Sequence, residues 1–288
     1  GLWRLEGDRT KVKRTAVVAA IIAIALVFVT AVARVFRALP HSAPSIVEPQ
    51  HQTIDIDGVQ RKALIYPNSA PAPKSGPPLV FVFHGHGGTA QFAARRFHIH
   101  ELWPEAVVVY MQGLPGVQGI TDPEGTRSGW QKNPGELNDR DVKFVDAALE
   151  QIEKQFKTDP NRIYGLGHSN GARFVNVLWN MRGQKFAAFC SSSGQGGLLL
   201  SKVVPRSIFI IAGKKDPLVP YDTQMLSVDI VRKVLNTDSS KATNDGYTQS
   251  LPGVNGTELL TYLHPGGHEF PDAAIPMAVE FFKRHARP

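Results

Sequence analysis

Cysteine is nearly missing from this chain of 288 residues: Cys190 stands alone, so no internal disulfide can form. A single thiol after the apolar run Phe186-Ala187-Ala188-Phe189 is expected to be a small buried core residue. Internal repeats are lacking too, which excludes solenoid and propeller arrays. Excess charge is scarce once the first 40 residues are set aside. Those carry seven Lys/Arg against Glu6 and Asp8, a net +5, whereas the remaining 248 carry 25 basic against 23 acidic residues, a net +2. So balanced a body is not a basic nucleic-acid binder, and no nucleic-acid partner is expected. An initiator methionine is also absent; the chain starts at Gly1 and is expected to be a fragment or a processed form. What is present is ordinary for a globular protein, with 42% hydrophobic and 20% charged residues.

Residues 15–33, TAVVAAIIAIALVFVTAVA, form one uncharged apolar run of 19 residues. That is close to the ~20 residues a helix needs to cross a bilayer. It exceeds the 7–15 residues of an ordinary secretory core. Basic residues crowd its N-terminal side, which predicts a cytoplasmic N-terminus and a body outside the cytoplasm. Ala31-Val32-Ala33 offers a cleavage site, so a secreted form released after Ala33 is the rival expectation. The stretch 38–50, ALPHSAPSIVEPQ, reads as a proline-punctuated linker.

Beyond the linker the pattern turns to strands and helices in alternation. Thr53–Ile56 and Arg61–Tyr66 flank Asp57-Gly58, a hairpin signal. Leu79–Phe83 is continuously apolar, as strands buried in parallel sheets are. Further strands are predicted at 107–110, 163–166, 187–190, 207–212 and 259–263, and helices near 90–98, 141–156, 170–181, 221–235 and 272–286. The alternation predicts an α/β fold, a doubly wound and mostly parallel sheet led in by an antiparallel hairpin.

Gly167-His168-Ser169-Asn170-Gly171 has the spacing G-x-S-x-G between a predicted strand and a predicted helix. Small residues two positions either side of a serine allow a tight strand-to-helix turn that exposes its hydroxyl. In an open parallel sheet, ligands bind beyond the carboxyl ends of strands, and three more stretches fall there. His84-Gly85-His86-Gly87-Gly88 follows Leu79–Phe83, and its glycines let backbone N–H groups turn inward. Acyl transfer needs two such donors for the oxyanion; His86 and Asn170 are the candidates. A metal reading of His84/His86 and His98/His100 lacks further ligands, and no metal or cofactor is expected. Asp216 follows the strand at 207–212 and His268 follows that at 259–263, giving the order Ser…Asp…His. Asp222 is the alternative acid, expected instead at the start of the next helix, and His264 ranks behind His268. Trp130, in the long stretch 113–140, is a candidate for stacking on a substrate ring or for anchoring its loop to the core.

FVFHGHGG (81–88), VVVYMQG (107–113), DVKFVDAALEQIEKQF (141–156), DPNRIYGLGHSNGARF (159–174), AGKKDPLVPY (212–221) and HPGGHEF (264–270) together resemble one group of α/β-hydrolases. It is the esterases of the polyhydroxybutyrate depolymerase and feruloyl/acetylxylan esterase group. The resemblance spans roughly residues 52–285. It implies an α/β-hydrolase fold over 51–288, a Ser169–Asp216–His268 triad and an oxyanion loop at His86. Met111 stands where that group commonly has proline, and a Gly-rich His loop replaces its usual cysteine-bearing one. The implied activity is ester hydrolysis, on feruloyl or acetyl sugar esters or hydroxyalkanoate esters, in a body tethered by residues 15–33. A binding module without catalysis and a serine peptidase are the competing classes. The whole divides into a basic flank (1–14), an anchor or signal segment (15–37), the linker (38–50) and the hydrolase domain (51–288).

Overall fold

A computed structural model of the protein describes residues 47–287. The flank, the apolar run at 15–33 and the linker up to residue 46 lie outside the described residues. Among the described residues no helix is long and apolar enough to cross a membrane.

Asp57 and Gly58 both adopt positive φ, 53° and 81°. That is the backbone a two-residue hairpin turn demands, and it joins β1 (Gln50–Ile56) to β2 (Val59–Tyr66) in antiparallel register, Ile56 opposite Val59. Next come β3 (Leu79–Phe83), β4 (Val107–Met111), β5 (Ile163–His168), β6 (Ala188–Ser192), β7 (Ser207–Gly213) and β10 (Glu258–His264), all mutually parallel. β3, β4, β6 and β7 are buried at every position, which is why these stretches are apolar without alternation. Two short antiparallel strands, β8 (Thr243–Asp245) and β9 (Thr248–Pro252), add to β10. The sheet order is β1-β2-β4-β3-β5-β6-β7-β10-β9-β8.

Helices cover both faces. Those at Arg140–Phe156, Asn170–Arg182 and Tyr221–Val234 share one apolar core with the sheet, and those at Ala90–Phe97 and Ala274–Lys283 share the other. This is the three-layer arrangement of a doubly wound domain. Because β3, β5, β6, β7 and β10 run in parallel, the loops after residues 83, 168, 192, 213 and 264 all emerge at one edge.

The predicted elements appear within one or two residues of their expected bounds at most positions. The β8–β9 hairpin was not expected. Thr248–Pro252 is a five-residue strand between β10 and the edge strand β8, ending in proline and largely half-exposed, so it carries neither an apolar run nor a clear alternation.

Candidate active site

At the end of β5 the chain reverses direction in one residue. Ser169 has φ 57° and ψ −121°, a conformation that L side chains rarely adopt. The surroundings hold it there. Its N–H donates to the Ser192 carbonyl at 2.8 Å, and its own carbonyl accepts from the Arg173 N–H at 3.0 Å. The flanking glycines are required by space: a Cβ on Gly167 would collide with the Gly171 carbonyl, and one on Gly171 with the Phe83 carbonyl. The G-x-S-x-G spacing thus reports how closely the helix at 170 seats on β3 and β5.

The Ser169 hydroxyl lies 2.7 Å from His268 Nε2. His268 Nδ1 lies 3.0 and 2.9 Å from the two Asp216 carboxylate oxygens. The Asp216 side chain is shielded from solvent. Burial pushes its carboxyl up, yet the N–H groups of Val219 and Leu218, at 2.9 and 2.8 Å, and the His268 ring outweigh burial and hold it below the usual carboxylate range. Gln224 Nε2 donates to the second oxygen at 3.2 Å. Asp222 is elsewhere: it is exposed in the first turn of the helix Tyr221–Val234, and its side chain caps nothing. Asp222 thus lies at the helix start, as expected, and Pro220 occupies the cap position. His264 is buried, with Nδ1 accepting from the Gly266 N–H at 3.2 Å.

The loop that carries His268 is pinned at several points. Ser193 Oγ donates to the Glu269 carbonyl at 3.1 Å, Arg96 Nη2 to the Phe270 carbonyl at 2.6 Å, and the Lys215 N–H to the Gly266 carbonyl at 3.0 Å.

The backbone N–H groups of His86 and Asn170 have no acceptor among the described residues. Both residues line the cleft over Ser169, where an oxyanion hole would need such unpaired donors. The side chains of both are occupied in bracing. His86 Nε2 donates to Asp122 at 2.8 Å, and Asp122 also accepts from Arg127 N–H, Thr126 N–H and Thr126 Oγ1. These donors, led by Arg127 N–H and the His86 ring, hold the Asp122 carboxyl well below the usual range.

Trp130 is a correction to one of its two expected roles. It is fully buried, stacked on Phe174 at 5.4 Å and edge-on to Phe83 at 5.3 Å, and its Nε1 donates to the His84 carbonyl at 2.9 Å. A ring so enclosed anchors the 113–140 stretch to the core and has no face to offer a substrate.

His84 and His168 were not singled out as site residues but flank the site. His84 Nδ1 donates to Gly85 O at 2.7 Å and Nε2 accepts from Gly113 N–H at 3.0 Å. Burial pushes its pKa down to about 4. The His168 ring sits 5.1 Å from that of His268. Burial, then repulsion by His268, pushes it down to about 3, which keeps it neutral. No group of three His, Cys, Asp or Glu converges as metal ligands would among the described residues.

A cleft of about 1090 Å³ opens over Ser169 and His268. Leu198, Leu199, Leu218 and Val219 supply apolar lining, and Lys132, Asn133 and Arg173 supply polar lining.

No family model matches the chain. It is 29% identical over 161 residues to NocK of Nocardia uniformis subsp. tsuyamanensis, a protein assigned as an esterase, covering 53% of this chain and 44% of that one. To feruloyl esterase C of Emericella nidulans it is 28% identical over 158 residues, covering 51% and 55%. The chain thus spans about half the length of the curated relatives it matches. Its fold is similar to that of the acetyl xylan esterase from Aspergillus awamori, with a TM-score of 0.59 at 14% identity, over 81% of this chain and 99% of that one. In sequence the chain is thus similar to proteins named as esterases over about half its length, and its fold is similar to that of α/β-hydrolase esterases.

Proposed function

We propose that the protein is a serine carboxylic-ester hydrolase that works through an acyl-enzyme. The observation that carries this reading is the unbroken chain from Ser169 Oγ through the His268 ring to the buried Asp216 carboxylate, each link within 3.0 Å. With Nδ1–H donated to Asp216, Nε2 is the ring's acceptor and takes the hydroxyl proton as Oγ attacks the ester carbonyl carbon. The negative charge on the carbonyl oxygen falls to the N–H groups of His86 and Asn170. The bond to the alkoxy oxygen then breaks, and His268 returns the proton to the departing alcohol. Water attacks the acyl-enzyme with His268 again accepting a proton, the acid departs, and Ser169 recovers its hydrogen.

The names of the relatives, acting on feruloyl and acetyl-xylan esters, support sugar esters of those acids as substrates, with hydroxyalkanoate esters as a further class. The intact hydrogen-bonded chain argues against a binding module. Fluorophosphonate labelling tests the chemistry: the folded protein is expected to acquire one adduct, on Ser169, blocked in Ser169→Ala. An unlabelled folded protein would sink it. A panel of p-nitrophenyl acetate, methyl ferulate, acetylated xylan and hydroxybutyrate oligomers then ranks substrates.

We also propose that residues 15–33 tether the domain outside the cytoplasm. Protease added to sealed spheroplasts should remove the domain, and protection until lysis would reverse the orientation.

A further inference from the structure

The cleft over Ser169 is lined by no Asp or Glu, yet two cations reach it, Lys132 and Arg173. Neither has a carboxylate within 4.0 Å among the described residues, although ion pairs recur elsewhere on this protein. Arg173 is half-buried one helical turn after Ser169, its N–H bonded to the Ser169 carbonyl at 3.0 Å. Its guanidinium donates to the carbonyls of Lys132, Gln195 and Gly196 and to Asn133 Oδ1, at 2.7, 3.0, 2.8 and 2.8 Å. Those contacts use four of its five N–H groups, so one on Nη2 remains. Neutral acceptors satisfy its geometry without neutralising its charge. Lys132 Nζ makes one contact, to the Gln118 carbonyl at 3.1 Å, which leaves two of its three hydrogens. Glu136, the acid whose field reaches Arg173, has one carboxylate oxygen taken up by the N–H groups of Lys132 and Asn133, at 2.6 and 3.0 Å.

A cation half withdrawn from water with no carboxylate in contact is costly, and a ligand that supplies one offsets that cost. We infer that the cleft selects esters bearing a second, free carboxylate close to the scissile bond, held by Lys132 and Arg173. A monoester of a dicarboxylic acid has this form on the acyl side, and an ester of a phenolic or hydroxy acid has it on the alcohol side. Arg173 also ties the strap at 132–133 to the loop at 195–196. Both cleft walls are therefore fixed to the residue that reads the charge.

The inference rests on the esterase reading for its site but is tested by binding alone. Ser169→Ala protein is titrated calorimetrically with two matched pairs of amide analogues: 4-acetamidobenzoate against 4-acetamidobenzamide, and succinanilate against its primary amide. The anion should bind about tenfold tighter in at least one pair, the scale of one charge-assisted hydrogen bond. Which pair responds tells the alcohol side from the acyl side. Adding Lys132→Gln, and separately raising salt, should shrink that advantage. Lys132→Gln leaves the backbone strap intact, so it reads charge where Arg173→Gln also loosens two loops. Equal affinities in both pairs, no binding of either anion at millimolar concentration, or an advantage unchanged in Lys132→Gln and Arg173→Gln would overturn it. Failure of fluorophosphonate labelling would instead sink the esterase reading and leave this result standing.

Discussion

The Asn170 side chain is paired with the Trp130 backbone in both directions: Oδ1 accepts from the Trp130 N–H at 2.7 Å, and Nδ2 donates to the Trp130 carbonyl at 2.9 Å. The residue after the nucleophile is thereby sutured to a loop 40 positions away. That suture fixes Asn170 against Trp130, which is itself locked in the core. Asn170→Asp would set a carboxylate oxygen against the Trp130 carbonyl. Its kcat should fall about 10–100-fold, below the ~10²–10³ of losing an oxyanion donor outright, because the N–H is misaimed and still present. Steady-state kinetics on p-nitrophenyl acetate beside a circular dichroism melt checks this; unchanged kcat in a folded variant would refute the suture's role.

Ser169 separates strain from chemistry. Both Ser169→Ala and Ser169→Gly should lose at least ~10³-fold in turnover. Only glycine tolerates φ 57° with ψ −121° freely. Strain of this kind costs on the order of 1–3 kcal/mol, so Ser169→Gly should melt above Ser169→Ala. Equal melting temperatures would mean the elbow stores no strain.

The two acids should divide cleanly. Asp216→Asn is expected to cut kcat by orders of magnitude, since an amide does not fix the His268 tautomer or stabilise imidazolium. Asp222→Asn, exposed and capping nothing, should alter stability by no more than about 0.5 kcal/mol. Kinetics and melts of the pair decide it, and an inactive Asp222→Asn beside a near-normal Asp216→Asn would move the role.

Acid should destabilise the domain at a lower edge that is specific to histidine. Burial holds His84 at about 4 against an ordinary value near 6.5. As pH falls below about 6.5 the unfolded chain takes a proton that folded His84 refuses, so stability is lost until about pH 4 and this contribution then levels off. The loss is on the order of 3 kcal/mol at its full extent, and His168 adds to it in the same direction. Denaturant titrations from pH 7 to 4 should show the slope, reduced in His84→Gln; a flat profile would contradict it.

Sequence carried what short-range backbone demands impose. Gly167 and Gly171 announce Ser169 because no other residue fits those two positions, and Asp216 and His268 are legible because parallel strands align their ends. The fate of Trp130 was not, since Phe83 and Phe174 enclose it from elements far away in sequence. Gln224, His168 and Arg173 likewise take their meaning from partners on other loops, for which no local spacing gives a signal. Asp222 was legible as a helix-start residue because Pro220 and Tyr221 open that helix, and Thr223 Oγ1 donates to the Pro220 carbonyl at 2.6 Å to close the turn.

The small β8–β9 hairpin has a consequence for solubility. Without it, β10 would end the sheet, and its backbone from Glu258 to Tyr262, with Leu259, Leu260 and Thr261 buried, would be open to pairing with another chain. With it, the last strand on that side is three residues long, wholly exposed and built of Thr243, Asn244 and Asp245. So short and polar a border is a poor template for edge-to-edge aggregation, and the hairpin works as a hem on an otherwise adhesive fabric.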